Sequence, residues 1–135
     1  FERVKVAGKL GKIDYDLGEV CEVLERQVRK GSQFDAIYAS TIRSWVFSKA
    51  FDASRLSFGA YDERLCQGVR DVLAPGGLFY DCLLSSKGGN MRMAPEISSE
   101  TQGRLGLKLK LKHEGAGTSG YQNFDSLVTV YEKQN

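Results

Sequence analysis

Two stretches of the sequence carry apolar residues at the spacing of an α-helix. In Leu17–Val28 they recur at intervals of three and four residues, and Lys30-Gly31 follows as an end signal. The second stretch, Tyr61–Leu73, stops at Ala74–Gly77, whose sequence APGG is a strong helix breaker. Both patterns predict amphipathic helices that pack one face against a sheet.

Five other runs have the length and composition of β-strands. Arg3–Ala7 and Phe34–Ala39 are short β-prone runs, and Leu78–Leu84 is nearly all apolar, as in a strand covered on both faces. Leu107–Lys112 alternates Leu and Lys strictly, and Ser126–Tyr131 is the last β-rich run. These runs predict buried strands in the middle of the chain and a half-buried pair at its end.

The order of these elements is β-α-β-α-α-β-(α)-β-β, with shorter helices expected after Thr41 and near Pro95. Alternation of strands and helices predicts an α/β fold of three layers, with a mostly parallel, Rossmann-like sheet and right-handed crossovers. The short connection between the last two strands predicts a C-terminal antiparallel hairpin. We expect one domain over residues 1–135, either whole or a fragment of a longer domain.

The composition is that of an ordinary folded domain, and it narrows the function classes. The 135 residues are 41% hydrophobic and carry a net charge of +2, which is too small to argue for nucleic acid. No apolar run approaches the roughly 20 residues of a membrane helix. Three scattered Cys and one His argue against a disulfide framework and a structural zinc site, and favour reduced thiols in a cytoplasmic protein. The chain begins at Phe1, so a processed chain and a piece of a longer one both stay open.

Several of the strands carry motifs of one known family. The segments Phe34–Ser40 (FDAIYAS) and Asp71–Phe79 (DVLAPGGLF) look like its fourth strand and its helix end, turn and fifth strand. Leu107–Lys112 and Leu127–Tyr131 look like its sixth and seventh strands. The chain thus resembles the C-terminal two thirds of a class I S-adenosylmethionine-dependent methyltransferase. The family's glycine-rich cofactor turn has no counterpart here, since Gly8–Gly11 is too sparse. The resemblance implies a domain that is part of, or derived from, such an enzyme, with an incomplete cofactor site.

The resemblance also implies where S-adenosylmethionine would be contacted. Asp14 and Tyr15 would lie beside the adenine, whereas Ser40 and Thr41 follow the carboxyl end of a strand, where ligands collect in open α/β sheets. The alternative for Asp14 is an acidic residue favoured by a helix N-terminus. The alternative for Ser40 and Thr41 is a helix cap. No residue has the context of a general base, so no catalytic residue is predicted.

Three residues are candidates for binding the methyl acceptor, whose identity stays open. Trp45 would line a pocket near Ser40, or else cover the sheet. Lys87 and Arg92 belong to Ser85–Met93, a stretch without apolar periodicity at the carboxyl end of a strand. This stretch predicts a mobile loop that closes on an anionic or polar acceptor, with a surface connector as the alternative.

The second functional hypothesis is a non-catalytic interaction module that keeps the scaffold. A sheet edge near residues 3–7 without a neighbouring strand would predict a homodimer or a partner chain at that edge. Lys108, Lys110 and Lys112 alternate along one strand and could follow phosphates, but Lys also protects edge strands from aggregation. Nucleic acid is therefore not an expected partner, and neither a membrane nor a metal is expected.

Overall fold

The computed structural model describes residues 15–53, 58–87, 91–119 and 122–135. Asp14 and the predicted strand at residues 3–7 lie outside these ranges. The described elements, in chain order, are α1 (Val20–Arg29), β1 (Phe34–Ser40), α2 (Ile42–Ala53), α3 (Phe58–Val72), β2 (Leu73–Lys87), α4 (Ser99–Leu105), β3 (Leu107–Ser119) and β4 (Gln122–Lys133).

The strands form one sheet in the order β1-β2-β4-β3. β1 and β2 are parallel, whereas β4 is antiparallel to both of its neighbours, β2 and β3. The α/β class and the C-terminal antiparallel pair are therefore confirmed. The described sheet is mixed rather than mostly parallel, because the tight connection after β3 turns the chain back and β4 inserts beside β2.

The described helices pack on one face of the sheet. Side chains of β2 and β4 that point to this face, such as Phe79, Leu83 and Tyr131, are fully buried in two apolar clusters with the helices. Residues that point the other way, such as Tyr80 and Val128, belong to neither cluster. We call this second side the open face, although Val130 on it is only 5% exposed. The predicted three-layer arrangement is not confirmed, since the described residues form one layer of helices on one sheet.

The first described strand, β1, is more exposed than the sequence predicted. Phe34 is 41% exposed and Tyr38 is 65% exposed. Among the described strands β1 pairs only with β2, and Tyr38 lies on the open face in register with Tyr80. The apolar run predicted a buried strand, but burial depends on neighbours that the run itself does not specify.

The break predicted at Ala74–Gly77 lies inside the range of β2 rather than before it. The pairing with β1 jumps from Leu73 to Leu78, so the residues between them form an irregular stretch. Gly76 has a φ of 78°, a conformation that favours glycine. A Cβ on Gly77 would lie 2.8 Å from the carbonyl oxygen of Ala74, so this position also requires glycine.

The alternation of Leu and Lys in β3 is interrupted by a β-bulge. Leu109 pairs with Tyr131 and Leu111 pairs with Val130, so Lys110 is an extra residue. Beyond the bulge the side chains exchange faces, which leaves Leu111 58% exposed. Lys112 turns to the helix side, where its Nζ lies 2.5 Å from Oε1 of Glu96. The three lysines therefore do not form one stripe.

The first predicted helix begins later than its apolar pattern. α1 begins at Val20, and the carboxylate of Glu19 accepts hydrogen bonds from the N–H groups of Cys21 and Glu22 at 3.1 and 3.2 Å. Leu17 precedes the helix and is 88% exposed. A side-chain cap at Glu19 thus sets the start of the helix, because it satisfies amide groups that have no partner within the first turn.

Candidate site at the carboxyl end of the parallel strands

Ser40 and Thr41 lie where the parallel pair ends. Ser40 is the last residue of β1 and is in register with Cys82 of β2. The N–H of Thr41 donates to the carbonyl oxygen of Cys82 at 2.9 Å, and the carbonyl of Thr41 accepts from the N–H of Trp45 at 2.9 Å. These two bonds carry the chain from the strand directly into α2, so both hydroxyl groups are at the carboxyl edge of the sheet.

Thr41 has a strained backbone, with a φ of 58°. This is the left-handed region, which a β-branched residue rarely adopts. Such conformations persist where surrounding bonds over-determine them, and they concentrate at ligand sites. The strained backbone of this edge therefore lies at the junction between β1 and α2.

Replacing Thr41 by Gly is expected to raise the free energy of unfolding by about 1 kcal/mol, because Gly adopts this φ without strain. Urea denaturation followed by circular dichroism measures the change. Ser40→Gly is the matched control and is expected to lower stability by about 0.5–1 kcal/mol, since Ser40 has strand geometry. A loss of stability in Thr41→Gly that equals the loss in Ser40→Gly would contradict the assignment of strain.

Trp45 lies in the first turn of α2 and is 55% exposed. It is the only Trp of the chain. Its N–H bond to the carbonyl of Thr41 places this residue one helical turn after the end of β1. Ser40, Thr41 and Trp45, three of the residues that the sequence predicted, thus lie within six consecutive positions at the junction of strand and helix, although Ser40 belongs to the face of the sheet opposite α2.

Beneath this edge a buried arginine joins several elements. Arg43 of α2 is fully buried, and its Nε and Nη2 donate to the two carboxylate oxygens of Asp62 in α3 at 2.6 and 2.9 Å. Its Nη1 donates to Oδ2 of Asp81 in β2 at 2.6 Å. Its Nη2 also donates to the carbonyl oxygen of Pro95 at 2.7 Å. One guanidinium therefore holds α2 against a helix, a strand and the segment before α4.

The groups of this cluster influence one another's ionisation. Burial lowers the pKa of Arg43, but the hydrogen bond to Asp62 and the charge of Asp81 outweigh this effect, so the pKa is raised. Burial raises the pKa of Asp81 above 3.8, although the charge of Arg43 acts in the opposite direction. Burial also raises the pKa of the Cys66 thiol to about 12, which makes this cysteine a poor nucleophile at neutral pH.

Two buried serines of α2 fasten the segment that returns after β2. Ser44 Oγ accepts hydrogen bonds from the N–H groups of Leu84 and Ala94 at 3.1 and 3.3 Å. Ser48 Oγ donates to the carbonyl of Ser44 at 2.7 Å and accepts from the N–H of Arg92 at 2.8 Å. The segment after β2 that contains Arg92 and Ala94 is therefore attached to the same helix that carries Trp45.

This attachment changes the interpretation of Ser85–Met93. Ser85–Lys87 are part of β2 and are paired with β4, so the predicted loop is wrong for these residues. The N–H of Ser86 donates to the carbonyl of Met91 at 3.1 Å, which closes the segment on itself. Residues 88–90 lie outside the described ranges, and closure of this segment on a ligand stays a prediction.

The remaining predicted residues are not gathered at this edge. Tyr15 is 71% exposed and lines a cleft of about 840 Å³ with the first half of β1, as far as Ile37. Ile37 precedes Ser40 by three positions, or about 10 Å of strand. Lys87 is the last residue of β2, and Arg92 is exposed beside Ser48. Tyr15 therefore lies near the first half of β1, whereas Ser40 lies at the end of this strand.

The sequence interpretation missed Arg43, Ser44, Ser48 and the two aspartates of the cluster. One signal was present, because Asp81 stands in the middle of the apolar run LFYDCLL. A buried carboxylate needs a partner, so a single charged residue in an apolar strand predicts that a partner exists but does not identify it. Arg43 as that partner depends on the packing of α2 over β2.

The described residues contain no group of three or more His, Cys, Asp or Glu side chains arranged to hold a metal ion. Among the described helices none is both long and apolar enough to cross a membrane.

Comparisons with known proteins find solved structures with a similar fold but no matching sequence family. No family model matches the chain, and no curated protein matches its sequence. A solved structure concerned with the conversion of a disulfide bond into a thioacetal group during echinomycin biosynthesis is similar, with a TM-score of 0.55 and 10% identity over 96% of this chain. A proposed DNA modification methylase from Thermus thermophilus has a TM-score of 0.49 and 16% identity over 87% of this chain.

This chain spans 60% and 51% of the lengths of these two proteins. At such low identity the first likeness concerns the fold alone, and the second is too distant to add support. The first likeness therefore agrees with the mixed α/β fold described above, including its C-terminal antiparallel pair.

Proposed function

We propose that this chain is a methyltransferase-like domain, part of or derived from an S-adenosylmethionine-dependent enzyme, whose cofactor site is incomplete in this chain. The observation that carries the proposal is that Ser40, Thr41 and the exposed Trp45 follow the carboxyl end of the parallel strands of such a fold. Ligands of open α/β sheets bind at this end of the strands.

The three residues have the chemistry for a cationic, polar ligand. The hydroxyl groups of Ser40 and Thr41 donate and accept hydrogen bonds. The face of Trp45 attracts a cation, and S-adenosylmethionine carries a sulfonium cation. Because Arg43 is fully buried and bound to two carboxylates, its role is to hold α2 in place and not to contact a ligand. No general base is assigned, so methyl transfer would depend on positioning of donor and acceptor.

The intrinsic fluorescence of the single Trp tests the proposal. Titration with S-adenosylmethionine is expected to change Trp45 emission with a dissociation constant of about 1 mM, because a few contacts on one side of a ligand give weak binding. S-adenosylhomocysteine, which lacks the sulfonium charge, is expected to bind about threefold more weakly. Trp45→Phe is the control for optical artefacts, and isothermal titration calorimetry gives an independent dissociation constant.

The result separates the possible outcomes. Micromolar binding of S-adenosylmethionine by this chain alone would contradict the incomplete cofactor site. An unchanged emission spectrum at millimolar ligand would contradict the contact with Trp45. If Thr41→Ala binds as well as the unmodified chain, the hydroxyl group has no part in the site.

A non-catalytic interaction module is the second candidate function. The specific observation in its favour is that Tyr38 and Leu111, on the two outer described strands of the open face, are 65% and 58% exposed. The outer strands of a sheet are where another chain would pack. A partner at the edge near residues 3–7 also stays a proposal, because that edge lies outside the described ranges.

A further inference from the structure

Both methionines of the chain lie in one short segment, residues 91–97, which follows β2 and which we call the strap. Two serines of α2, Ser48 and Ser44, hold this segment. They accept hydrogen bonds from the N–H groups of Arg92 and Ala94 at 2.8 and 3.3 Å. Each methionine directly precedes one of these two anchored residues, so the contacts of the methionine side chains act on the same part of the strap.

The sulfur of Met91 contacts one of the two anchoring groups. Its Sδ lies 3.8 Å from Oγ of Ser48, the same atom that accepts from the N–H of Arg92. The N–H of Met91 donates to Oγ of Ser86 at 3.3 Å, and its carbonyl accepts from the N–H of Ser86 at 3.1 Å. A polar oxygen added to this sulfur would therefore compete for the hydroxyl group of Ser48.

Met93 combines apolar packing with access from solvent. It packs against the apolar cluster that contains Leu83 and Leu127. It also lines an open cavity of about 170 Å³, together with Glu114 and Asp125 of the last two strands. A water molecule takes about 30 Å³ in the liquid, so this cavity admits a reagent as small as hydrogen peroxide. Met93 can thus be reached from outside while its side chain contributes to the core.

We propose that Met91 and Met93 form a methionine oxidation site, at which hydrogen peroxide releases the strap from α2. Each sulfur gives an electron pair to one oxygen of a peroxide molecule, so that an S–O bond forms and the O–O bond breaks. The proton of the transferred oxygen moves to the leaving oxygen, which departs as water, and each thioether becomes a sulfoxide. The proposal does not depend on methyl transfer.

Oxidation changes what each of the two side chains does to the strap. The sulfoxide of Met93 is polar, and a polar group is unfavourable in an apolar cluster. The sulfoxide oxygen of Met91 is a stronger acceptor than the thioether, so it draws the hydroxyl proton of Ser48 away from the carbonyl of Ser44. Both changes weaken the attachment of the strap to α2.

The release is expected to be local. The carbonyl oxygen of Pro95 accepts from Nη2 of Arg43 at 2.7 Å, and Ile97 is 4% exposed in the other apolar cluster. Neither contact involves a methionine sulfur. The strap is therefore expected to open over residues 91–94 and to stay attached from Pro95 onwards.

Hydrogen exchange of the full 135-residue chain, before and after treatment with hydrogen peroxide, tests the proposal. Mass spectrometry counts the oxygen atoms added at each methionine. Exchange at the N–H groups of Arg92 and Ala94 is expected to accelerate about 30-fold, the effect of losing a buried hydrogen bond. The N–H of Val23, which donates to the carbonyl of Glu19 in α1, is the internal reference and is expected to keep its rate. Methionine sulfoxide reductases are expected to restore slow exchange.

The double variant Met91→Leu/Met93→Leu is the matched control. Leu is apolar and similar in volume to Met, but it cannot form a sulfoxide. The three cysteines are unchanged in this variant, so it separates oxidation of methionine from oxidation of cysteine. Exchange at Arg92 and Ala94 is expected to stay slow in the variant with and without peroxide, and circular dichroism shows whether the variant folds.

Four outcomes would overturn the proposal. The first is equal acceleration in the folded double variant, which would assign the effect to the cysteines. The second is unchanged exchange at Arg92 and Ala94 in a chain that carries both sulfoxides. The third is a pair of methionines that stay unoxidised at a peroxide concentration that oxidises free methionine. The fourth, which decides the matter even if the double variant does not fold, is an acceleration that the reductases do not reverse.

Discussion

An Arg43→Met variant is expected to lose about 3–5 kcal/mol of unfolding free energy at pH 7. Met fills much of the same volume but leaves the carboxylates of Asp62 and Asp81 without their common partner. Asp81 is 1% exposed, and its Oδ1 already has no hydrogen-bond partner among the described residues. A buried charge that loses its counter-ion costs more than the pair contributes when intact. Urea denaturation followed by circular dichroism measures the loss.

Arg64→Met provides the matched control. Arg64 binds the carboxylate of Glu25 through Nε and Nη2 at 2.6 and 2.9 Å, which resembles the contact of Arg43 with Asp62. Both side chains of the Arg64–Glu25 pair are nearly half exposed, so we expect a loss below about 1 kcal/mol. Equal losses of unfolding free energy in the two variants would show that the burial of Arg43 does not determine its contribution to stability.

The loss of unfolding free energy in Arg43→Met should also depend on pH, and the raised pKa of Asp81 determines the direction of this dependence. Asp81 has a pKa above 3.8 in the folded chain, so its proton binds more tightly there than in the unfolded chain. Its protonation therefore stabilises the fold at low pH, and this stabilisation is lost as pH rises through the raised pKa. Removing Arg43 raises that pKa further, so the difference from the unmodified chain should shrink from pH 7 towards pH 4. A difference that is constant with pH would contradict this account.

A Ser44→Ala variant is expected to lose about 2–4 kcal/mol, the second largest effect. The hydroxyl of Ser44 accepts from the N–H groups of Leu84 and Ala94, and each buried N–H that loses its acceptor costs about 1–3 kcal/mol. Hydrogen exchange should accelerate at Ala94 and at Arg92, whose N–H is held by the neighbouring Ser48. Urea denaturation gives the total loss.

Ser32→Ala is the control for Ser44→Ala. The hydroxyl of Ser32 donates to the side chain of Gln27 at 2.7 Å, a contact between two side chains rather than to a buried backbone N–H. Its removal is expected to change stability by less than about 0.5 kcal/mol. If Ser44→Ala has an equally small effect, water replaces the hydroxyl and the segment after β2 is held by other contacts.

The sequence pattern determined the local elements and their order. The apolar spacing in Tyr61–Leu73 predicted α3, because a helix places every third or fourth residue on one face. The residues of β1 and the last two strands were likewise predicted from β-prone runs. The position of the candidate residues Ser40 and Thr41 at the end of β1 followed from chain order, because ligands of open α/β sheets bind at the carboxyl ends of parallel strands.

Tertiary structure alone decided which sides of these elements are buried and which charges meet. The bulge at Lys110 turned Leu111 to the open face, although strict alternation had placed it with the buried leucines. Arg43 reaches Asp81 across 38 positions of sequence, which no local spacing can express. Local patterns record the preference of each residue for water or for an apolar surface. The partner that satisfies the preference is chosen by how the helices and strands pack, and this packing is a property of the whole fold.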